Sequence, residues 1–460
     1  MPDLADVPAV ELVQLFAAGD VRPTEVLELV LERVDAWEPK IGAFTQLLEA
    51  EARASARSSD ARYATARPLG PLDGVPMTVK ENIATAGDPY RLGTAATPPA
   101  VSDVDAPVAA RLREAGATVF AKTTMPDFGM LSSGVSSLRS PTRNPWSLEW
   151  NPGGSSAGAG AAAAAGVGLI HIGTDIGGSV RLPANWCGVA GLKPSFGRVP
   201  VMPPYYARCA GPIARAVADL ALAMSAISLP DERDHMSLPP ADLPWTALTP
   251  TDPAALRIGV CVQAGAGVPG APEVVAVAHD AARALEAAGA TVRPAAALID
   301  DRLLAGLDRF WRMRSYLDLQ ALGDEHRARA LPYIQEWVAP ARHYSAEQVF
   351  TGFSAMDGIS VAVGKAFRGH DFLLSPVAPI TGFAADAAGP IGPQQALDHI
   401  GFTVPFSMSG HPAISIPWGT SSDGRPIGIQ LAARRFRDLE LLSLALTCER
   451  LRPAQPAWPS

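Results

Sequence analysis

The fold prediction rests on residues 151–183, which read NPGGSSAGAGAAAAAGVGLIHIGTDIGGSVRLP. Two serines of this stretch follow paired glycines, Ser155 in GGSSAG and Ser179 in GGSVR. The alanine and glycine run between them predicts a tightly packed helix that begins near Ser156, and the apolar residues Val167 to Ile172 predict a short strand. A helix that leads into a strand in this way is typical of α/β proteins.

Each Gly-Gly-Ser turn suits a nucleophilic serine. Glycine lacks a Cβ atom, so such a turn can adopt backbone angles that are closed to other residues. It also lets backbone N–H groups gather around a small anionic centre. A single turn of this kind is more typical of an ordinary connector between strand and helix, because short motifs often match by chance. Two turns joined by one helix–strand unit favour a functional pair of serines.

The composition describes a well-packed globular protein rather than a disordered one. Of 460 residues, 48% are hydrophobic and 18% are charged. A chain of this length predicts either two subdomains or one large mixed sheet. The net charge of −8 argues against a general binder of nucleic acid or of anionic membranes. The uncharged residues 151–174 are mostly glycine and alanine, which indicates a buried core segment and not a membrane span.

The N-terminal residues and the cysteines predict the cellular location of the protein and whether it has a metal site. The beginning of the chain, MPDLADVPAVELVQLF, lacks the basic region of a signal peptide. The cysteines show neither a metal-binding spacing nor a disulfide framework, and they are Cys187, Cys209, Cys261 and Cys448. We therefore expect a cytoplasmic protein with no metal site.

Apolar spacing and glycine positions predict the other elements. Helices are expected at 9–16, 23–37, 106–115, 275–289 and 439–451, and an exposed helix or loose connector at 49–67. Strands are expected at 74–79, 118–121, 256–262, 291–293, 371–376, 414–417 and 427–431. The proline-rich residues 230–252 predict a surface connector, and residues 294–369 a helical insertion whose inner face roofs a substrate pocket.

Several of these segments, taken together, resemble the amidase signature family of serine hydrolases. The resemblance is carried by GGSSAG, GTDIGGSVRLPA and CGVAGLKPSFGRVP, and by GVPMTVKEN, which is similar to the family's lysine segment. It is dense over residues 69–220 and looser over residues 371–446. Three positions depart from the family's usual pattern: Glu81, Thr124 and the GGSSAGA form of the serine motif.

The resemblance implies an α/β fold with a single large mixed, mostly parallel-stranded twisted sheet, covered by helices on both sides. We divide the chain into an N-terminal helical layer (1–68), a signature core (69–230), a variable and largely helical region (231–370), and C-terminal strands and a helix that complete the core (371–460).

The catalytic residues belong to one of two kinds of serine hydrolase triad. A Ser–His–Asp triad is not indicated, because no histidine stands in a context that suggests a base and neither serine lies in a GxSxG elbow. The family resemblance implies instead that Ser179 is the nucleophile, Ser155 a bridging serine after a cis peptide bond, and Lys80 the base. Periodicity alone favours an exposed lysine. To accept a proton, Lys80 must be neutral, and burial favours that state.

The same resemblance assigns supporting groups around the nucleophile. Backbone N–H groups of residues 176–179 are expected to form the oxyanion hole, namely Ile176, Gly177, Gly178 and Ser179. Ser156, Asp175 and Arg181 are expected to support the two turns, with Asp175 and Arg181 as a pair that holds the nucleophile turn in shape.

These assignments predict a serine amidase that hydrolyses linear carboxylic amides through an acyl-enzyme on Ser179. The candidate pocket residues are apolar or aromatic and favour a neutral hydrophobic or aryl substrate; they are Met125, Met202, Tyr205, Tyr206 and Trp311. No cofactor is implied, and a homodimer is compatible with the resemblance, although no pattern in the sequence indicates one.

Two other function classes compete with this prediction. The glutamine-hydrolysing component of a tRNA-dependent amidotransferase, its A chain, shares the signature and works in a complex. It needs charged groups for the charged ends of glutamine, and the sequence reveals no convincing pair. A nucleotide-binding module is disfavoured, because neither GxxxxGK[ST] nor GxGxxG after a strand is present.

Overall fold

The computed structural model describes residues 4–459, and its centre is one sheet of eleven strands in the order β1-β5-β2-β6-β8-β7-β12-β13-β11-β9-β10. The strands are β1 Phe44–Leu47, β2 Pro76–Lys80, β5 Thr118–Thr123, β6 Ile170–Asp175, β7 Ala190–Lys193, β8 Cys209–Ala214, β9 Arg257–Val260, β10 Thr291–Pro294, β11 Phe372–Pro376, β12 Ala413–Thr420 and β13 Pro426–Ala433. A separate two-stranded hairpin pairs β3 Pro89–Tyr90 with β4 Ala100–Val101.

The α-helices surround this sheet. They are α1 Ala9–Ala18, α2 Pro23–Ile41, α3 Glu49–Ala64, α4 Pro107–Glu114, α5 Ala157–Ala165, α6 Arg181–Cys187, α7 Val217–Ile227, α8 Pro272–Ala287, α9 Asp301–Gln320, α10 Asp324–Arg327, α11 Pro332–Val338, α12 Ala346–Ala366, α13 Val404–Met408 and α14 Asp438–Leu451.

The predicted single large mixed sheet is confirmed. Parallel pairing joins two blocks of three strands, β5-β2-β6 and β11-β9-β10. Antiparallel pairing joins the strands between these blocks and adds β1 at one edge. The strands β8, β7, β12 and β13 connect the two blocks, and the sequence analysis did not assign β7 and β8.

Both faces of the sheet are covered, because alternate residues of a strand point to opposite sides. In β11, Phe372 and Leu374 pack into a core shared with α1, α4, α7, α8 and α14. Leu373 points the other way, into a core shared with α6, α9, α11, α12 and α13. The predicted helical insertion thus contributes α9 to α12 on one face, and α3 buries a narrow stripe of Ala52, Ala56 and Ser59.

The close packing around helix α5 explains why the helix consists only of alanine and glycine. All nine of its residues are buried. A Cβ atom on Gly158 would lie 2.1 Å from the carbonyl oxygen of Ala43, and one on Gly160 would lie 2.9 Å from Pro183 Cβ. Larger side chains would push the helix away from its neighbours. The close packing fixes the beginning of α5 beside the turn that carries Ser179.

In the described part of the chain, no helix is both long and apolar enough to cross a membrane. The four cysteines are buried and free. The cytoplasmic location, the homodimer and the domain boundaries stay predictions.

Candidate active site

Lys80 is the last residue of β2, the middle strand of the first parallel block. All five residues of β2 are buried, and the Lys80 side chain is fully enclosed. Its Nζ donates to Ser155 Oγ at 2.7 Å and to Thr174 Oγ1 at 3.1 Å. No carboxylate within residues 4–459 forms an ion pair with it. Burial lowers the pKa of Lys80 to about 7, although the charge of Asp175 works in the opposite direction.

Ser155 reaches this lysine from a turn with an unusual backbone. The Gly154–Ser155 peptide bond is cis. A Cβ atom on Gly154 would lie 2.5 Å from the backbone of Ser133, so the turn has room for glycine alone. The next residue, Ser156, donates its backbone N–H to the Ser179 carbonyl at 3.1 Å. This bond ties the two Gly-Gly-Ser turns together.

The turn that carries Ser179 is held by Asp175 and Arg181, both fully buried. Arg181 donates Nε and Nη2 to the two carboxylate oxygens of Asp175, at 3.0 and 2.9 Å. Its Nη1 donates to the Thr403 carbonyl and to Gln430 Oε1, which lie far along the chain. Burial raises the pKa of Asp175, but the charge and hydrogen bonds of Arg181 outweigh it and bring the pKa to about 2.

Of the four backbone N–H groups that are expected to form the oxyanion hole, one already has a hydrogen-bond partner in the protein. Gly178 donates its N–H to Asp175 Oδ1 at 2.8 Å, so this group is already engaged. The N–H groups of Ile176, Gly177 and Ser179 have no hydrogen-bond partner in the described chain. The predicted set of four therefore contains three free donors. The reason is that the carboxylate holding the turn uses the fourth.

A cleft opens above the two serines and contains about 940 Å³ of empty space, including its open mouth. Its apolar wall consists of Phe128, Met130, Leu131, Ile176, Trp311, Trp337, Leu397 and Ile400. Its polar groups include Asn82, Ser155, Thr174, Ser179, Arg208, Arg314, Ser315, Tyr333 and His399. The cleft therefore combines an apolar wall with polar groups beside both serines, as small-molecule binding sites commonly do.

Of the five residues predicted for the pocket, Trp311 alone lies on the described wall of this cleft. Met125 is buried behind Gly129, and Met202 lines a smaller neighbouring cavity. The Tyr205 ring supports the guanidinium groups of two arginines, whereas Tyr206 is exposed and donates its hydroxyl to the Met408 carbonyl. These four side chains lie off the described wall of this cleft, and their role as pocket residues stays a prediction.

Sequence reasoning missed several groups of the cleft. Asn82 Nδ2 and Lys80 Nζ both donate to Thr174 Oγ1, so Asn82 shares the environment of the lysine. Asn82 lies within the segment GVPMTVKEN, and Thr174 within GTDIGGSVRLPA, so the motifs contained a signal for both. His399 and Arg314 come from segments that are distant in sequence from the serine motifs, and no local pattern marked them.

Neither His171 nor His411 lies on the described wall of the cleft, so neither is placed as a base. His171 is fully enclosed and its Nδ1 lies 2.8 Å from Thr78 Oγ1; burial lowers its pKa to about 3. His411 stacks on Phe367, and burial lowers its pKa to about 4. Between residues 4 and 459, no group of three or more His, Cys, Asp or Glu residues is arranged to hold a metal ion.

This chain is similar to known proteins in sequence and in fold. The sequence matches the Amidase family over residues 25–442. It is 33% identical to an acylamidase of Rhodococcus erythropolis, over 97% of this chain and 95% of that protein. It is also 33% identical to the A component of the glutamyl-tRNA(Gln) amidotransferase of Moorella thermoacetica, over 95% of each. The solved structure of a bacterial aryl acylamidase of the amidase signature enzymes superimposes with a TM-score of 0.88 at 28% identity, over 97% of this chain and 96% of that one.

Proposed function

Because this chain belongs to the amidase signature family of hydrolases that act on amides, we propose that it hydrolyses a linear carboxylic amide through an acyl-enzyme on Ser179. The products are a carboxylate and ammonia or an amine. The observation that carries the proposal is the enclosed Lys80, which lies 2.7 Å from Ser155 Oγ and has a pKa lowered to about 7. A lysine in this state can accept a proton near neutral pH.

Acylation begins when Ser179 Oγ attacks the amide carbonyl carbon. The hydroxyl proton of Ser179 passes to Ser155, which gives its own proton to neutral Lys80. The carbonyl oxygen becomes an oxyanion, and the unpartnered N–H groups of Ile176, Gly177 and Ser179 are the donors available to stabilise it. In a preorganised site, one such donor contributes roughly 3–4 kcal/mol to the stabilisation of the transition state.

Collapse of the tetrahedral intermediate returns the proton. The charged Lys80 passes it through Ser155 to the amide nitrogen, the C–N bond breaks, and the amine or ammonia leaves. Water then attacks the Ser179 ester along the same route and releases the carboxylate. The Asp175–Arg181 pair touches neither the substrate carbonyl nor the proton path; it positions the turn that presents Ser179.

The apolar wall supports an acyl or amine portion that is hydrophobic or aromatic. Trp311 and Trp337 contribute aromatic atoms to this wall, although most of each side chain is buried, and Leu131 and Ile400 complete it. The similarity to an acylamidase and to an aryl acylamidase points the same way. The wall also carries two arginines, so we keep the hydrophobic part of the predicted substrate and do not keep its neutrality.

The glutamine-hydrolysing amidotransferase component remains the second candidate, since the chain is 33% identical to one such protein over nearly its whole length. Glutamine carries an ammonium group that needs a carboxylate partner. On the described wall of the cleft, Asp175 is the only carboxylate, and its oxygens already accept hydrogen bonds from Gly178, Val180 and Arg181. This arrangement favours a self-sufficient amidase.

The test is hydrolysis by the purified chain alone. Release of amine and ammonia is followed over anilides, aryl amides, aliphatic amides and glutamine, with Ser179→Ala as the inactive variant. Ser354→Ala is the matched control, because Ser354 is exposed on α12 and far from the serine turns in sequence. The proposal expects anilide or aryl amide hydrolysis that Ser179→Ala loses and Ser354→Ala retains. Hydrolysis of glutamine alone would favour the amidotransferase component.

A further inference from the structure

Two arginines lie on the wall of the same cleft as Ser179. Arg208 directly precedes β8, and Arg314 lies on α9. Both guanidinium groups stack against one aromatic ring, that of Tyr205, with distances to the ring centroid of 5.2 Å for Arg208 and 4.3 Å for Arg314. The arrangement brings two positive charges together in the cleft that Ser179 also lines.

These two arginines have few partners for their hydrogen-bond donors. In the described chain, Arg208 donates only Nη1, to the Pro203 carbonyl at 3.3 Å. Arg314 has only an ion pair with Asp318, at 3.5 Å, and the Asp318 side chain is 48% exposed. Each guanidinium has five N–H donors in a planar fork. Most of the donors on this side of the cleft are therefore available to a ligand.

Other arginines of the protein show how different this is. Arg181 is fully buried and donates to Asp175, Thr403, Gln430 and Ser407. Arg312, two residues before Arg314 on the same helix, donates to the Asp308 carboxylate and to backbone carbonyls. The donors of these two arginines are therefore used largely by the protein itself, unlike those of Arg208 and Arg314.

The two charges also repel each other. Burial, and next the charge of Arg314, lowers the pKa of Arg208 to about 10. The carboxylate of Asp318, outside the described wall, offsets these charges in part, whereas the one carboxylate on that wall, Asp175, is engaged by Arg181. An anion between the two guanidinium groups would relieve this repulsion, and a carboxylate matches the fork geometry of arginine.

We propose that the cleft is built for an amide that carries a carboxylate, with Arg208 and Arg314 as the groups that bind it and the tryptophan wall as the surface for its apolar part. This inference rests on the proposed function and names the substrate class of that site. The carboxylate lies on either the acyl or the amine portion of the substrate, and the experiment distinguishes the two.

The test uses two pairs of anilides that differ in a single carboxylate. In the acyl pair, butanoyl 4-nitroanilide is compared with succinyl 4-nitroanilide, in which a carboxylate replaces the terminal methyl group. In the amine pair, butanoyl anilide is compared with N-butanoyl-4-aminobenzoate. In one of the two pairs, we expect kcat/KM to be at least about tenfold higher for the anionic substrate than for the neutral one. A hydrogen bond between charged groups contributes enough binding free energy to account for a factor of about ten or more.

Arg208→Gln and Arg314→Gln are expected to lower this anionic-to-neutral ratio about tenfold to a hundredfold. The ratio cancels any effect that the charge of Arg208 has on Lys80, since both substrates share that base. Arg302→Gln is the matched control, because Arg302 is exposed on the same helix and lies outside the cleft wall. It is expected to leave the ratio unchanged.

A neutral substrate that is equally good or better in both pairs would overturn the inference, as would a ratio that neither arginine variant changes. If no amide is hydrolysed, the proposed function fails, and the subsite is judged by binding. Calorimetry on Ser179→Ala with 4-phenylbutanoate and 4-phenylbutanol is then decisive. Preferential binding of the acid that Arg314→Gln abolishes supports the subsite, and equal binding of the two compounds contradicts it.

Discussion

Replacing Lys80 with methionine tests whether this lysine is neutral in the folded protein. Burial lowers the pKa of Lys80 from 10.5 to about 7. A lowered pKa destabilises the folded protein at pH 7 and below by about 1.4 kcal/mol for each pH unit by which it is lowered. The decrease from 10.5 to about 7 therefore costs about 5 kcal/mol of folding free energy. Methionine avoids that cost but removes hydrogen bonds to Ser155 and Thr174, worth about 1 kcal/mol each. We expect Lys80→Met to be more stable than the wild type by about 3 kcal/mol at pH 7.

The sign of the pH dependence follows from proton binding. As the pH rises from about 7 to 10.5, the unfolded state binds more protons at Lys80 than the folded state, so the stability of the wild type rises. Above the unfolded value the cost is gone. The advantage of Lys80→Met is therefore expected to shrink with increasing pH and to reverse near about pH 9, where the remaining cost of burial equals the two lost hydrogen bonds.

The assay is thermal denaturation of both proteins from about pH 6 to about pH 10, together with amide hydrolysis. Lys122→Met is the matched control for activity, because Lys122 is also buried, on the neighbouring strand β5, and donates to Thr85. We expect Lys80→Met to abolish hydrolysis and Lys122→Met to retain it. A Lys80→Met protein that is less stable than the wild type at every pH would refute the reasoning, because it would mean that Lys80 is charged and stabilised.

Three further predictions concern the protonation of Lys80, the buried Asp175–Arg181 ion pair and the glycines of helices α5 and α12. Because Lys80 must be neutral, kcat/KM is expected to fall about tenfold between about pH 8 and about pH 6, as a pH–rate profile would reveal. Asp175→Asn removes the carboxylate that pairs with buried Arg181 and is expected to lower the free energy of unfolding, measured by chemical denaturation, by about 3–5 kcal/mol. Asp386→Asn, at an exposed ion pair, is expected to lower it by less than about 1 kcal/mol. Gly158→Ala places a Cβ atom 2.1 Å from a backbone oxygen and is expected to lower the melting temperature, whereas Gly364→Ala meets nothing within 4 Å and is expected to raise it.

The sequence predicted those parts of the molecule that short contiguous motifs encode. The buried strand that ends at Lys80, the helix after Ser156 and the strand that leads to Asp175 are each marked by apolar runs and glycines. The strands β9 to β13 were located for the same reason. The pairing of Asp175 with Arg181 was also accessible, since the two residues are close in sequence and of opposite charge.

The parts that were missed depend on contacts between distant segments. Strand β8 lies between β6 and β7, and no local pattern reveals that order. Arg314 reaches the cleft from α9 and His399 from a short 3₁₀ helix, Asp398–Ile400, and neither sequence carries a motif. The engaged N–H of Gly178 was missed because hydrogen bonding inside the turn depends on its backbone path. Tyr205 and Tyr206 suggested an apolar pocket, yet one supports two arginines and the other faces solvent.

The central claim is that Ser179 carries the acyl group, and peptide mass spectrometry tests it most directly. The protein is incubated with an activated aryl ester of a hindered acid, whose acyl-enzyme hydrolyses slowly, and is then digested. We expect the added acyl mass on the peptide that contains Ser179, a loss of this adduct in Ser179→Ala, and a slower formation in Lys80→Met. An adduct on Ser155, or undiminished amide hydrolysis by Ser179→Ala, would contradict the account.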